Sequence, residues 1–351
     1  MLQGHYCSNT YDPCSLCKTP GYSGRKNLRG AFLLKWIVLT AAVILCPIIL
    51  EYGFSYSLEP ALQAGFFVIL SVSLALVVGL TGQISLGHAA FFGIGAYGAA
   101  ILATRGNLPV VLAIPAGTLV GLAAGFLIGY PVLRLKSYYL ALATLVIGIA
   151  VQEFFKAADF LTGGEIGLYD LPDIKLGSFE LSSAFSHYYV VWMFALIIVF
   201  FCDRLSKSFL GKRLRAIHSD EGAAESAGID VPRMKLGIFT FSAAIAAFAG
   251  TLFAHCSYGT IDPGEFGVVL SIKIITMVVI GGMFSVYGAA MGAVIIALLP
   301  EMIRRLGDLA HMDLTQITHL QDIAFGVILV IFVIFAPQGL IGKMRMSRTN
   351  A

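Results

Sequence analysis

Long stretches of this chain are continuously apolar, and short polar segments separate them. Ten runs stand out, at 31–50, 59–80, 84–104, 109–130, 138–155, 188–203, 236–256, 267–283, 286–303 and 320–337. Most reach the roughly 17–25 residues that cross a hydrocarbon layer of about 30 Å as helix. They lack the in-out alternation over about ten residues that a membrane β-barrel requires. The pattern predicts an all-α fold: a polytopic transmembrane helical bundle of about ten spans. Run 84–104 is glycine-rich and carries His88, and it either spans fully or is broken or re-entrant. Run 188–203 is a turn short, and its helix is expected to begin earlier. The chain divides into a polar N-terminal tail (1–30), a transmembrane domain (31–343) and a C-terminal tail (344–351).

Composition agrees with this pattern. Hydrophobic residues make up 58% of the 351, and the chain has 23 basic and 20 acidic residues. A soluble chain of this length would carry about 88 charges, so a water-soluble globule and a disordered chain are both excluded. The net charge of +3 and the scatter of the basic residues argue against nucleic acid as a partner. Membrane lipid is the expected surroundings. With the N-terminus inside and ten alternating spans, 17 Lys and Arg face inward and 5 outward. This bias places both termini in the cytoplasm.

Cys7, Cys14 and Cys17 lie with His5 in the N-terminal tail. The second pair of ligands that a zinc site needs is missing, so no metal is expected. Cys46, Cys202 and Cys256 sit in or beside apolar runs and read as small hydrophobes. No phosphate-binding loop occurs, and neither polar segment is large enough for a catalytic domain. The chain is therefore expected to be no enzyme, with no catalytic residues and no cofactor of its own.

Several clusters invite a role, each beside a plainer reading. Gly82, Gln83, Ser85, Gly87 and His88 place polar groups at the start of a span, where they either line a pathway or cap a helix at the cytoplasmic face. Lys273, near the outer third of a span, either faces that pathway or snorkels outward. Gly121, Gly125 and Gly129 recur every fourth residue, as do Ala289, Ala293 and Ala297 and the pair Gly288 and Gly292. That spacing makes a groove for close helix packing. Thr162, Gly163, Gly164 and Gly167 suggest an ordered outer loop in segment 156–187. In the basic inner segment 204–235, Asp220 can cap a short helix over 220–227 that Gly228 ends. Its small Ala223 and Ala224, ringed by Arg213, Arg215 and Glu221, suit docking in another protein's cleft.

The stretches TGQISLGHAAFFGIGAY (81–97), PVLRL (131–135), LTGGEIGL (161–168), 211–250, VIGGMFSVYG (279–288) and APQGLIG (336–342) together resemble the permease subunits of branched-chain amino-acid ABC importers, specifically the M-type (LivM-like) subunit. The likeness covers about 60–343. It implies a bacterial inner-membrane importer with a second homologous permease, two cytoplasmic ATPases that bind ATP and magnesium, and a periplasmic solute-binding protein. The family's Ala-Ala-x-x-x-Gly falls on Ala223, Ala224 and Gly228, which with Arg215 and Glu221 are then the ATPase-coupling residues. Three departures bear on the solute. Ile149 stands where a glutamate is usual, Lys273 where an acid is frequent, and Phe284 replaces a glycine. Branched-chain or related amino acids are expected to be the solute. Urea, short amides or other small solutes remain the alternative, as does an ion-coupled secondary transporter.

Overall fold

A computed structural model describes residues 58–309 except 136, 177, 178, 182 and 258, together with individual positions at 40–47 and 316–330. The two tails, most of runs 31–50 and 320–337, and the 336–342 motif lie outside the described residues.

The other eight apolar runs fall on helices: α1 (Glu59–Thr81), α2 (His88–Thr104), α3 (Val110–Val132), α4 (Ser137–Ala157), α5 (Ala184–Lys207), α8 (Val231–Cys256), α9 (Val268–Gly281) and α10 (Val286–Leu309). Among the described residues, all of these except α2 and α9 are long and apolar enough to cross a membrane. The 14 residues of α9 span about 21 Å at 1.5 Å per residue. α5 starts at Ala184, before the apolar run, because Ser183 caps it by accepting from Ser186 N. Between α5 and α8 lie two short helices, α6 (Phe209–Ser219) and α7 (Glu221–Ser226). Three-residue strands β1 (Ile174–Leu176) and β2 (Phe179–Leu181) form an antiparallel hairpin, an exception to an otherwise helical fold that the apolar pattern does not signal.

α1 is the hub. It is buried almost from end to end and packs against α5, α8, α9 and α10. α2 and α3 pack on α8 and on each other. α3 buries one narrow face only, made of Val110, Ala113, Gly117, Gly121, Gly125, Gly129 and Val132. A Cβ at Gly125 would stand 2.5 Å from Ala243 Cβ, and one at Gly129 2.8 Å from Phe239, both on α8. The glycine stripe is thus a helix-packing groove, and the large side chains Leu119, Leu122, Phe126 and Leu127 remain exposed on the rest of α3. The alanine row does the same on α10, where Ala289, Ala293 and Ala297 are buried.

Candidate functional site

The two ends of α1 organise the groups that sequence singled out. At its C-terminal end the chain leaves the helix at Gly82 in a left-handed conformation, φ +69°, which glycine adopts without steric cost. Residues 82–87 then run non-helically before α2 begins at His88, so the glycine-rich run is broken at its start. Several polar groups in and beside this segment have partners within the chain. Thr81 Oγ1 donates to Val77 O (2.7 Å), Leu86 N donates to Thr144 Oγ1 (3.0 Å), and Gly87 N donates to Ser85 Oγ (3.4 Å). Thr81 Oγ1 also lies 3.3 Å from Gln83 Oε1. Gln83 and Ser85 are buried.

His88 is buried too. Its Nε2 lies 2.8 Å from Ser242 Oγ of α8, and that hydroxyl donates to Ser73 O of α1 (2.6 Å). The three residues therefore bind α2, α8 and α1 into one polar joint. Among the described residues, His88 Nδ1 has no hydrogen-bond partner.

α6 and α7 sit against this same end. α6 packs on α1 through a face of Gly211, Leu214 and Ile217. The His218 ring lies against Gly82, where a Cβ would collide with it, and edge-on to Phe284, centroids 5.6 Å apart. α7 is built as its sequence suggests. Asp220 accepts from Ala223 N (3.0 Å). Gly228, at φ +79°, closes the helix with Gly228 N donating to Glu225 O (2.9 Å) and Ile229 N to Ala224 O (3.1 Å), the Schellman pattern. Lys235 pairs with Glu221 at 2.6 Å and ties α7 to α8. Arg215 turns back to the Gly211 and Ser206 carbonyls. Ala224 faces the chain's own interior and is only 4% exposed, whereas Ala223 is exposed. Of the two alanines, Ala223 is the one available to a partner.

At the N-terminal end of α1, Thr162, Gly163, Gly164 and Gly167 form a compact loop. Thr162 Oγ1 donates to Phe155 O (2.5 Å) and Ala158 O (2.9 Å). All three glycines have positive φ. The loop is held to a second segment by Leu168 and Ile261, which exchange backbone hydrogen bonds of 3.1 and 2.9 Å. The chain then continues into a 3-10 turn, Pro263–Phe266, capped by Asp262, and on into α9.

This turn carries Glu265, which sequence inspection passed over. Glu265, Gln63, Phe66 and Phe253 form the shared wall of two cavity lobes of about 380 and 220 Å³. Lys273 lines the smaller lobe, and Glu59 and Arg304 line the larger. Burial, with repulsion from Asp262, pushes the Glu265 carboxyl up to about 7. Lys273 and the Gly82–His88 cluster therefore lie at opposite ends of α1 and do not form one site. No residue periodicity marks Glu265 or His218. One is an acid in a short loop beside Asp262, and the other meets its partners only through the fold. No group of His, Cys, Asp or Glu suited to a metal occurs among the described residues.

Membrane-length apolar helices, a broken connection beside charged amphipathic helices, and a mixed-charge cavity at the far end define a multi-pass membrane protein of the permease class. The chain belongs to the family described as branched-chain amino acid transport system / permease component, whose model matches residues 57–333. It is 32% identical over 349 residues to the high-affinity branched-chain amino acid transport system permease protein LivM of Salmonella typhimurium and likewise to LivM of Escherichia coli K12, covering 93% of this chain and 78% of each relative. It is 24% identical over 298 residues to permease protein LivH of Salmonella typhimurium, covering 80% of this chain and 93% of LivH. No solved structure matches it.

Proposed function

We propose that the chain is a permease subunit of an ATP-driven importer that carries branched-chain or related amino acids across the bacterial inner membrane. The observation that carries this reading is the family match over 57–333, reinforced by the likeness to LivM along nearly the whole chain. A second, homologous permease completes the pathway, as the parallel likeness to LivH suggests. ATP and magnesium bind in two cytoplasmic ATPase subunits, and a periplasmic binding protein delivers the solute.

In this reading α6 and α7 face the cytoplasm, in line with the basic residues of 204–235. The ATPases seat on the exposed face of α7 around Ala223. Motion passes through α6 and the His218 ring to Gly82, where α1 ends, and to Phe284, in the turn between α9 and α10. The 162–167 loop lies outside, beside the segment that leads to Glu265. An importer works when ATP binding and release favour two different permease states. An ion-coupled carrier loses its support with the family match. The test is ATPase stimulation in the purified complex. Binding protein loaded with leucine should raise hydrolysis, and urea or acetamide should not. Stimulation by urea alone would replace the substrate assignment.

A further inference from the structure

The cavity at the N-terminal end of α1 has a wall of mixed charge. Its smaller lobe brings together one carboxylate, Glu265, one ammonium, Lys273, and an apolar lining from Phe66, Phe67, Phe253 and Leu270. These groups come from four elements. Phe66 and Phe67 lie on α1 and Phe253 on α8, Glu265 is in the 3-10 turn, and Lys273 and Leu270 are on α9. Lys273 lies five residues into α9, about 7.5 Å along the axis. Ligand sites are concave and largely apolar, with a few placed polar groups that fix orientation.

We propose that this cavity is a resting site for the transported amino acid itself. The Glu265 carboxylate receives the α-ammonium, the Lys273 ammonium receives the α-carboxylate, and the three phenylalanines with Leu270 enclose an aliphatic side chain. The inference rests on the transport reading above and sharpens it to a zwitterion. A neutral amide such as urea has no charge to set against either group, and a fully charged basic or acidic side chain would meet the aromatic wall. Gln63, at the junction of the two lobes, extends the polar edge on which the ligand enters.

Ionisation gives the site a signature. The other charged groups on this cavity are Glu59 from α1, Lys273 from α9, and Glu301 and Arg304 from α10, with Asp262 at the head of the turn. Glu301 pairs with Arg305 (3.1 Å) and Arg304 (3.7 Å). With the Glu265 carboxyl pushed up to about 7, the empty site at pH 6 holds mostly the neutral acid and at pH 8 mostly the carboxylate that an ammonium needs.

The experiment uses proteoliposomes of the whole transporter with ATP inside and saturating leucine-loaded binding protein outside. Leucine uptake is measured from pH 6 to 8 for the parent, Glu265→Gln, Glu265→Asp, Lys273→Met and Lys273→Arg. Losing a charge-assisted hydrogen bond should slow uptake about tenfold or more in Glu265→Gln and Lys273→Met. Glu265→Asp and Lys273→Arg should retain most of it. Parent uptake should rise with pH, and Glu265→Gln should be flat. Unchanged uptake and pH profile in both charge-removing variants, with normal subunit assembly, would overturn the site while leaving the transport function standing. Equal loss in the charge-conserving variants would show a merely structural role and also overturn it. If the unaltered transporter moves no leucine, the substrate reading fails first, and this assignment with it.

Discussion

Replacing Gly125 with leucine tests the packing of α3 on α8. In the structure a methyl carbon at this position would stand 2.5 Å from Ala243 Cβ, against a carbon–carbon optimum of about 3.5–4.0 Å. Alanine alone therefore asks the two helices to part locally by about 1 Å. A gap of that size forfeits roughly a quarter to a half of each neighbouring dispersion contact, and the flanking Gly121 and Gly129 contacts open with it. Leucine adds three more carbons where Ala243 and the Thr240 backbone already close the space. Overpacking costs about 1–3 kcal/mol, occasionally more, so Gly125→Ala should fall low in that range and Gly125→Leu at its top. α3 depends heavily on this interface, because its large apolar side chains point away from the bundle. The assay is thermal unfolding of the detergent-solubilised protein, followed by size-exclusion recovery after heating. Both variants should lose stability, leucine more than alanine. Unfolding temperatures unchanged from the parent, with normal abundance, would refute the argument and turn the glycine face toward lipid.

Three further outcomes are expected. Gly163→Ala places a side chain at φ +80° and against the Gly167 carbonyl, a left-handed strain of roughly 1–2 kcal/mol; hydrogen exchange over 159–171 should quicken, and equal protection would contradict the loop's geometry. Ala223→Arg should leave the bundle folded while cutting ATPase co-purification about tenfold or more, whereas Ala224→Arg, on the buried side of α7, should reduce folded protein; the reverse ranking would mean that the docking face is misassigned. His218→Ala removes the ring between Gly82 and Phe284 and should leave assembly intact while raising the ATP hydrolysed per solute moved; an unchanged ratio would remove His218 from the coupling path.

Much of the scaffold is legible in the sequence because membrane length leaves few alternatives. Runs 59–80 and 109–130 end within two residues of α1 and α3, and the four-residue glycine spacing marks α3's packing face before any partner is known. The caps at Asp220 and Gly228 are local, so α7 also stands where its residues put it. The orientation of α7 is different. Six residues contain too few turns to show a buried stripe, and only the fold reveals that Ala224 looks inward and Ala223 outward. His88 reads from sequence as either a pathway group or part of a helix cap, and only the fold shows its Nε2 meeting Ser242 Oγ. Glu265 leaves no pattern at all. It becomes a cavity wall only because the turn after α8 folds back over the start of α1. Phe284 likewise meets the His218 ring only through the fold.

The most direct measurement of the account's central claim is solute flux by the reconstituted complex under controlled energy sources. With ATP and magnesium in the lumen and leucine-loaded binding protein outside, leucine should accumulate against its gradient, and omitting this chain, the ATP or the binding protein should each abolish it. Accumulation driven by a proton or sodium gradient without ATP would contradict the account.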